Sequence, residues 1–408
     1  MIIKFSVQNF GSIKDKQTLS FEADKSNHLE EYYIIPINGM RLLKLGMIYG
    51  ANASGKTTVL KALDLLRNIA LKPKEKKTDE LDFNPFLFDS ETPNQNTILS
   101  IEFIQNSVRY YYEVELNKKA IVKERLDFYN PHKANVYQRT TNLETQFSEI
   151  TFGSKIKTDK IFEKTLESNT LWNNTVLGGF LKTNIELKEL KDATDWFGIY
   201  LSPLVSPNGK LENFISNIIE TSLINKEKVI KLLQNADFNI SDIILEEKDK
   251  NIDIRTKLYE IKLEHTVNNN KYELPFNLES EGTQRYYGLA GFLDLIIRTS
   301  RGLAIDELES SLHPDLFTHF LLSFLINSKQ SQIIATSHNR EILNNKDIFR
   351  NDAIWITDKS ENCATELYSL ADFDTSVIRD TSNIYNAYKI GKLGGIPNLG
   401  DYYIDLEE

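Results

Sequence analysis

The spacing of apolar and polar positions divides the first part of the chain into strand-like and helix-like stretches. Leu43 to Tyr49 is a short apolar run and predicts a buried strand, whereas Val59 to Ile69 has the spacing of an amphipathic helix. From Leu81 to Tyr137, apolar and polar residues alternate, which predicts antiparallel strands with aromatic cross-strand pairs.

The period changes twice further along the chain. Between about Asp159 and Asn235, apolar residues recur at helical spacing and predict packed helices. No heptad repeat is sustained there, so we expect no long coiled-coil arm. Ile240 to Phe276 returns to alternation, with a turn predicted at Asn268-Asn269-Asn270. We therefore predict three regions: 1–158 as one half of the core, 159–249 as a helical insertion and 250–408 as the other half.

A glycine-rich turn joins the predicted strand to the predicted helix. Its sequence, Gly50-Ala51-Asn52-Ala53-Ser54-Gly55-Lys56-Thr57-Thr58, has the spacing of a phosphate-binding loop. Backbone N–H groups and the positive end of the helix dipole favour an anion at such a turn. Lys56 is expected to reach the β- and γ-phosphates, and Thr57 to ligate Mg²⁺. The candidate nucleotide-binding residues are Gly50, Asn52, Gly55, Lys56, Thr57 and Thr58.

A second candidate element is an apolar strand that ends in two carboxylates. Gly302 to Ile305 is apolar, and Asp306 and Glu307 follow it. With a phosphate loop upstream, we interpret Asp306 as a Mg²⁺ ligand through water and Glu307 as the catalytic group that polarises the attacking water. A buried strand followed by a solvated acidic turn is the alternative interpretation.

Two shorter motifs complete the set. Ser280-x-Gly282 precedes a long apolar helix, where a hydroxyl, close backbone approach and free N–H groups could bind an anion. An ordinary helix cap is the alternative for Ser280. His338 follows the apolar strand Gln332 to Ile334, and we interpret it as a sensor of the γ-phosphate rather than a structural histidine.

The order of these motifs along the chain resembles that of ABC-type ATPases, the class that includes SMC and RecF proteins. Three segments are similar to the narrower RloA/AbiL-type ATPases of the AAA15/AAA21 group: Phe5 to Ile13, Asp306 to Pro314, and Tyr388 to Pro397. The resemblance implies an α/β fold, namely an ABC-type P-loop NTPase core with a mixed sheet, an antiparallel β lobe and an inserted helical subdomain. It also implies ATP and Mg²⁺ as cofactors. Ser280 and Gly282 would bind the γ-phosphate held by a second subunit, in a homodimer or higher homo-oligomer.

The same resemblance implies a biological role. Members of the group occur mostly in prokaryotic anti-phage systems, often beside a separate effector such as a nuclease. A DNA-repair or chromosome-associated ATPase of the RecF/SMC type is the alternative function. A non-hydrolysing, nucleotide-gated scaffold is a third hypothesis, and the intact Lys56, Asp306 and Glu307 argue against it.

Composition narrows the environment and the partners. The 408 residues carry a net charge of −10, which does not indicate nonspecific nucleic-acid binding. Cys363 is the single cysteine, which excludes an internal disulfide and a cysteine-based metal site. No stretch has the apolar length of a membrane span, and the first residues lack a signal-peptide layout. We therefore expect a cytoplasmic protein that does not insert into membranes.

Overall fold

The computed structural model of the protein describes residues 1–247, 258–345, 347–373 and 384–398. Its strands are β1 (Ile2–Gln8), β2 (Gln17–Ser20), β3 (Ile34–Ile37), β4 (Met40–Leu43), β5 (Leu45–Gly50), β6 (Thr97–Gln105), β7 (Val108–Leu116), β8 (Ile121–Tyr129), β9 (Lys133–Asn142), β10 (Phe147–Phe152), β11 (Asp242–Glu247), β12 (Tyr259–Val267), β13 (Asn270–Pro275), β14 (Gly302–Ile305), β15 (Gln332–Thr336), β16 (Ile354–Lys359) and β17 (Thr365–Ser369). Its α-helices are α1 (Glu30–Tyr33), α2 (Lys56–Leu71), α3 (Lys160–Asn169), α4 (Val176–Leu181), α5 (Lys188–Asp195), α6 (Glu212–Glu220), α7 (Lys226–Asn235), α8 (Glu281–Arg298), α9 (Pro314–Asn327) and α10 (Ile384–Lys389).

The central sheet brings the predicted motifs to one edge. Its order is β14-β15-β5-β16-β17, and every pair is parallel except β16 with β17. β5, β14 and β15 are buried along their whole length, as expected for parallel strands covered on both faces. Because the carboxyl ends of parallel strands share an edge, the turns after β5, β14 and β15 lie side by side.

A second sheet is antiparallel and has the order β10-β9-β8-β7-β6-β1-β2. Helix α2 packs against β1 and β6 of this sheet and against β5 and β15 of the central sheet, so the core lies around it. Strands β6 to β9 confirm the predicted antiparallel strands from Thr97 onward. The first part of the predicted range is wrong, because residues 81–96 contain no strand, and Pro85 and Pro93 in that stretch cannot donate to a ladder. Phe103 pairs with Tyr110 across β6 and β7, and their rings stack at 5.3 Å between centroids.

The chain between β10 and β11 contains the helices α3 to α7, which confirms helical structure between Asp159 and Asn235. Side chains of Asp159, Thr175 and Asn225 cap three of these helices by accepting a backbone N–H. Helix α4 packs on α2, and both α6 and α7 pack on α8. The division into 1–158, 159–249 and 250–408 stays a prediction, and its boundary at 249–250 lies outside the described residues.

Two predicted boundaries shift in the structure. The apolar run that begins at Leu43 spans two strands, because Leu43 ends β4 and Lys44 interrupts the run. The buried Lys44 Nζ donates hydrogen bonds to the carbonyls of Leu325 and Ser328, at 3.0 and 2.7 Å. Helix α2 begins at Lys56, one turn before the amphipathic pattern, because its first residues face the phosphate loop.

A small antiparallel sheet, β11-β12-β13, precedes the long helix α8. Its β12–β13 turn places Asn268 and Asn269 at positive φ, which confirms the predicted turn. No helix among the described residues combines the length and apolar character that crossing a membrane requires. The architecture is an α/β fold with an ABC-type P-loop NTPase core, composed of a mixed sheet, an antiparallel β lobe and an inserted helical segment.

Candidate functional site

The turn between β5 and α2 has a shape that two glycines make possible. A Cβ at Gly50 would lie 2.4 Å from the carbonyl oxygen of Thr357, so the loop and β16 approach too closely for a side chain. Gly55 has φ +104°, and a Cβ there would lie 2.0 Å from Thr365 Oγ1. No described side chain caps α2, so its first N–H groups point into the loop, as an anion site requires.

Lys56 is folded back onto this loop. Only 5% of its surface is exposed, and Nζ donates hydrogen bonds to the carbonyls of Gly50 and Ala51, at 2.9 and 3.0 Å. Burial lowers the pKa of Lys56 to about 8, although the nearby carboxylates oppose this shift. An anion in the loop would therefore stabilise the protonated form of Lys56, which burial disfavours in the protein alone.

Asp306 connects the turn after β14 to the phosphate loop. Thr57 Oγ1 donates to Asp306 Oδ1 at 3.0 Å, and Thr336 Oγ1 donates to the same oxygen at 2.7 Å. No group of three His, Cys, Asp or Glu side chains in the described ranges could hold a metal alone. Mg²⁺ commonly binds through one or two protein oxygens together with substrate phosphates, and the Thr57 and Asp306 oxygens fit that pattern.

Glu307 lies in a strained turn directly after Asp306. Its φ of +47° is uncommon for a residue with a side chain. Its N–H donates to Thr336 Oγ1 at 2.8 Å, which helps to fix the turn. The partly exposed carboxylate lies 3.8 Å from His338 Nε2, measured from Oε1. His338 Nδ1 in turn lies 3.4 Å from Lys56 Nζ, so the ring is placed between the lysine and the glutamate.

These residues surround one cavity of about 470 Å³. Its lining residues are Ser12, Asn52, Ala53, Ser54, Gly55, Lys56, Thr57, Thr58, Glu307 and His338. A second cavity, of about 680 Å³, follows the outer side of α2 and shares Thr58 with the first. The structure therefore brings together the predicted phosphate loop, Glu307 and His338, with Asp306 joined to them through Thr57.

Ser280 and Gly282 lie outside the lining of this cavity. Ser280 caps α8, and its Oγ accepts the N–H of Thr283 at 3.1 Å. A Cβ at Gly282 would lie 3.0 Å from the carbonyl oxygen of Ser311, so the start of α8 abuts the loop that follows Glu307. Within one chain, the predicted signature residues therefore do not complete the site.

Sequence reasoning missed a set of hydroxyl groups behind the phosphate loop. Ser12 Oγ and Thr58 Oγ1 are 3.0 Å apart, and Thr365 Oγ1 donates to the carbonyl of Ser54 at 2.9 Å and lies 2.8 Å from Ser12 Oγ. Ser54 Oγ also contacts Thr357 Oγ1 at 2.6 Å. Ser12 lies in the N-terminal segment that carried the family resemblance, but Thr357 and Thr365 had no local signal.

Glu309 is a further residue that sequence reasoning did not single out. Its Oε1 accepts the backbone N–H of His338, and its Oε2 is buried without a partner among the described residues. Glu309 therefore fixes the start of the loop that carries His338. Its position two residues after Glu307 was the available signal.

Comparison with known proteins identifies one family. The family model described as "AAA domain, putative AbiEii toxin, Type IV TA system" matches residues 47–344, which is more than half of the chain. No curated protein matches the chain.

Solved structures of SMC heads are also similar. The SMC head bound to the C-winged helix domain of ScpA has 14% identity and a TM-score of 0.49, covering 90% of this chain and 97% of that one. The SMC head domain from Thermotoga maritima has 12% identity and a TM-score of 0.41, covering 90% of this chain and 98% of that one.

The packing at Gly55 leads to a stability prediction. Gly55→Ala should lower the free energy of unfolding by more than Gly39→Ala does. Both glycines have positive φ, but a Cβ at Gly39 would have no atom within 4 Å, so that change tests the backbone conformation alone. The Gly39 change should cost about 1–2 kcal/mol for the left-handed backbone alone. Urea titration measures both losses. Adding Thr365→Ala should recover part of the Gly55→Ala loss, and equal losses at both glycines would contradict the proposed packing constraint.

Proposed function

The chain belongs to the AAA-domain family whose model it matches, and from this premise we propose that it is an ABC-type ATPase. ATP and Mg²⁺ would bind at the loop from Gly50 to Thr58, and a homodimer or higher homo-oligomer would enclose the nucleotide. One observation carries the proposal: Lys56, Glu307 and His338 line a single cavity at the carboxyl edge of the parallel strands.

Binding would use side chains that already face the loop. Lys56 would exchange the carbonyls of Gly50 and Ala51 for phosphate oxygens, because a bond between two charged groups is stronger than one to a neutral carbonyl. Thr57 and Asp306 would hold Mg²⁺, since their oxygens already lie within 3.0 Å of each other. When bound, Mg²⁺ neutralises charge on the phosphates.

Hydrolysis would depend on Glu307. No hydrogen bond links its carboxylate to another described side chain, so the group is free to orient a water molecule or to accept its proton. The strained turn places this carboxylate over the cavity before any nucleotide arrives. His338, between Lys56 and Glu307, would contact the γ-phosphate.

A second chain would complete the site. Ser280 and Gly282 lie at the N-terminus of α8, a helix of 18 residues whose free N–H groups and dipole favour an anion. In their own chain these residues do not line the nucleotide cavity. We therefore propose that they contact the γ-phosphate bound by a partner copy.

The finer biological role extends this proposal. The resemblance to RloA/AbiL-type ATPases and the family's printed description as a toxin–antitoxin domain support a prokaryotic anti-phage function in the cytoplasm. The ATPase would switch a separately encoded effector, such as a nuclease. The region from about Asp159 to Asn235 is the proposed docking surface. Helices within this region pack on both α2 and α8, so movement at the nucleotide or at the signature helix would reach it.

The first functional prediction concerns Glu307. Glu307→Gln should retain ATP affinity and lower steady-state hydrolysis by about 10²- to 10⁴-fold, because the volume stays while the base is lost. Phosphate release measures hydrolysis, and fluorescent-nucleotide titration measures affinity. Glu361→Gln, at an exposed glutamate that does not line the cavity, is the matched control. Hydrolysis at the parental rate by Glu307→Gln would rule out the assigned role.

The second functional prediction concerns the shared site. Lys56→Ala and Ser280→Arg chains should each be inactive alone. Random mixing makes about half of the dimers mixed, each with one intact site of two, so activity should recover to at most about a quarter of the parental value. Steady-state hydrolysis by the mixture measures this. Absence of recovery, with subunit exchange shown by differently tagged chains, would contradict a site shared between copies.

The third functional prediction concerns the effector. Cells that carry this gene with its neighbouring genes should resist phage, and deletion of a neighbouring effector gene should abolish the resistance. Efficiency of plating measures the effect, with Lys56→Ala as the nucleotide-binding control. Full resistance with every neighbour deleted would contradict the division of labour. Salt-dependent binding of duplex DNA by the purified protein would instead favour the RecF/SMC-type function.

A further inference from the structure

Arg285 is a buried cation with free hydrogen-bonding capacity. It lies on α8, five residues after Ser280, and 7% of its surface is exposed. Its Nη1 donates to the carbonyl of Ser206 at 3.1 Å, whereas Nε and Nη2 are buried without a partner among the described residues. Burying an unpaired charge is costly, so this arrangement calls for a functional explanation.

Glu309 carries the complementary free atom. Its Oε2 is buried and unpartnered in the described part of the chain, while Oε1 holds the N–H of His338. Burial lowers the pKa of Arg285, and Glu309 leads the carboxylates that oppose this shift, followed by Glu307 and Asp306. The guanidinium and the Glu309 carboxylate thus carry opposite charges and unpartnered polar atoms on two elements that touch at Gly282 and Ser311, although they do not form an ion pair here.

The contact between their two elements explains how they could pair. Gly282, in the first turn of α8, abuts the carbonyl of Ser311 in the loop that carries Glu309. A small movement of α8 against this loop would change the separation of Arg285 and Glu309. The single bond to Ser206 is the one direct hydrogen bond of the guanidinium among the described residues, so little is lost when the guanidinium moves.

We propose that Arg285 is a positioning residue that pairs with Glu309 when the partner's phosphates engage the start of α8. This inference rests on the proposed shared site. Ser280 and Gly282 would contact the partner's γ-phosphate, and α8 would transmit that contact to Arg285. Glu309 would then adjust the loop of His338, whose ring lies between Lys56 and Glu307 of its own site. Each site would thereby report its closure to the other site of the dimer.

The test compares Arg285→Gln, Glu309→Gln and the double variant. Glu309→Gln keeps an oxygen for the His338 N–H and removes only the charge. Each single change should lower kcat by about 5- to 150-fold, the usual range of coupling between sites, with a smaller effect on KM. The double variant should be no slower than the slower single variant, because both changes remove the same pair.

A matched control and two binding measurements separate positioning from damage. Arg298→Gln removes another arginine of α8, one that pairs with Asp294, and should leave kcat unchanged. In the Ser280→Arg background, which blocks the shared site, Arg285→Gln should bind ATP as tightly as its parent. ATP-induced dimerisation, measured by sedimentation, should weaken in Arg285→Gln by about 5- to 150-fold, the usual range of coupling between binding sites.

Charge reversal gives the decisive result. Arg285→Glu with Glu309→Arg should recover part of the activity that each single reversal removes. Two results would overturn the pairing. One is a double glutamine variant whose loss in kcat equals the product of the two single losses, and the other is a parental kcat in Arg285→Gln. If Arg285→Gln fails to fold, Arg285→Lys serves in the same cycle. If the unsubstituted protein dimerises with ATP but does not hydrolyse it, the proposed ATPase activity is wrong, and the dimerisation measurements still test the pairing. If it neither dimerises with ATP nor hydrolyses it, both the ATPase activity and the pairing are wrong.

Discussion

The close packing behind the phosphate loop is the constraint on which the rest of the site depends. Gly50 and Gly55 lie against Thr357 and Thr365, so strands β16 and β17 support the loop from behind. The N-terminal turn meets β17 at this point, because Thr365 also bonds Ser12. Lys56 donates to the carbonyl of Gly50, so it contacts the same loop that this packing supports.

The same constraint explains a motif near the C-terminus. Tyr388 Oη donates to the carbonyl of Gly395 at 2.8 Å, and a Cβ at Gly395 would lie 2.6 Å from Ile356 and 3.4 Å from the Cα of Gly50. The tail therefore forms a second layer under β16 and the phosphate loop. A side chain at Gly395, where φ is +64°, would push this layer away from the loop. The motif thus has a packing role, distinct from contact with a ligand.

Local sequence was sufficient to predict the helices and strands whose signal is a motif or a hydrophobic period of a few residues. The strand before Gly50, the helix after Gly55 and the alternating strands up to Tyr137 each carry a signal within a few residues. The convergence of Asp306 and His338 on the loop also follows, since parallel strands end at one edge. The strand boundary at Lys44 could not be predicted in this way, because Lys44 is buried against carbonyls of α9 and of its C-terminal end, which are far away in sequence.

What sequence could not supply is long-range pairing. Thr365 contacts a loop more than 300 positions away, and nothing in its neighbourhood indicates this. Arg285 and Glu309 look like ordinary charged residues of a helix and a turn. Only their burial, with donors and an acceptor left free, distinguishes them. Ser280 was ambiguous for the opposite reason, because a capping serine and an anion-binding serine use the same hydroxyl at the same place on a helix.

The geometry also bears on why such an ATPase would act as a switch. Lys56, Glu307 and His338 are already assembled in a single chain, whereas Ser280 and Gly282 lie elsewhere. A site built in this way can bind nucleotide first and become complete only on association. If dimerisation tightens ATP binding by some factor, linkage requires that ATP tightens dimerisation by the same factor. In the proposed dimer, the nucleotide would therefore control how much of the protein is associated, and hydrolysis at Glu307 would remove that control. Helix α4 packs on α2, and α6 and α7 pack on α8, so the helical region would transmit this change in association to a partner.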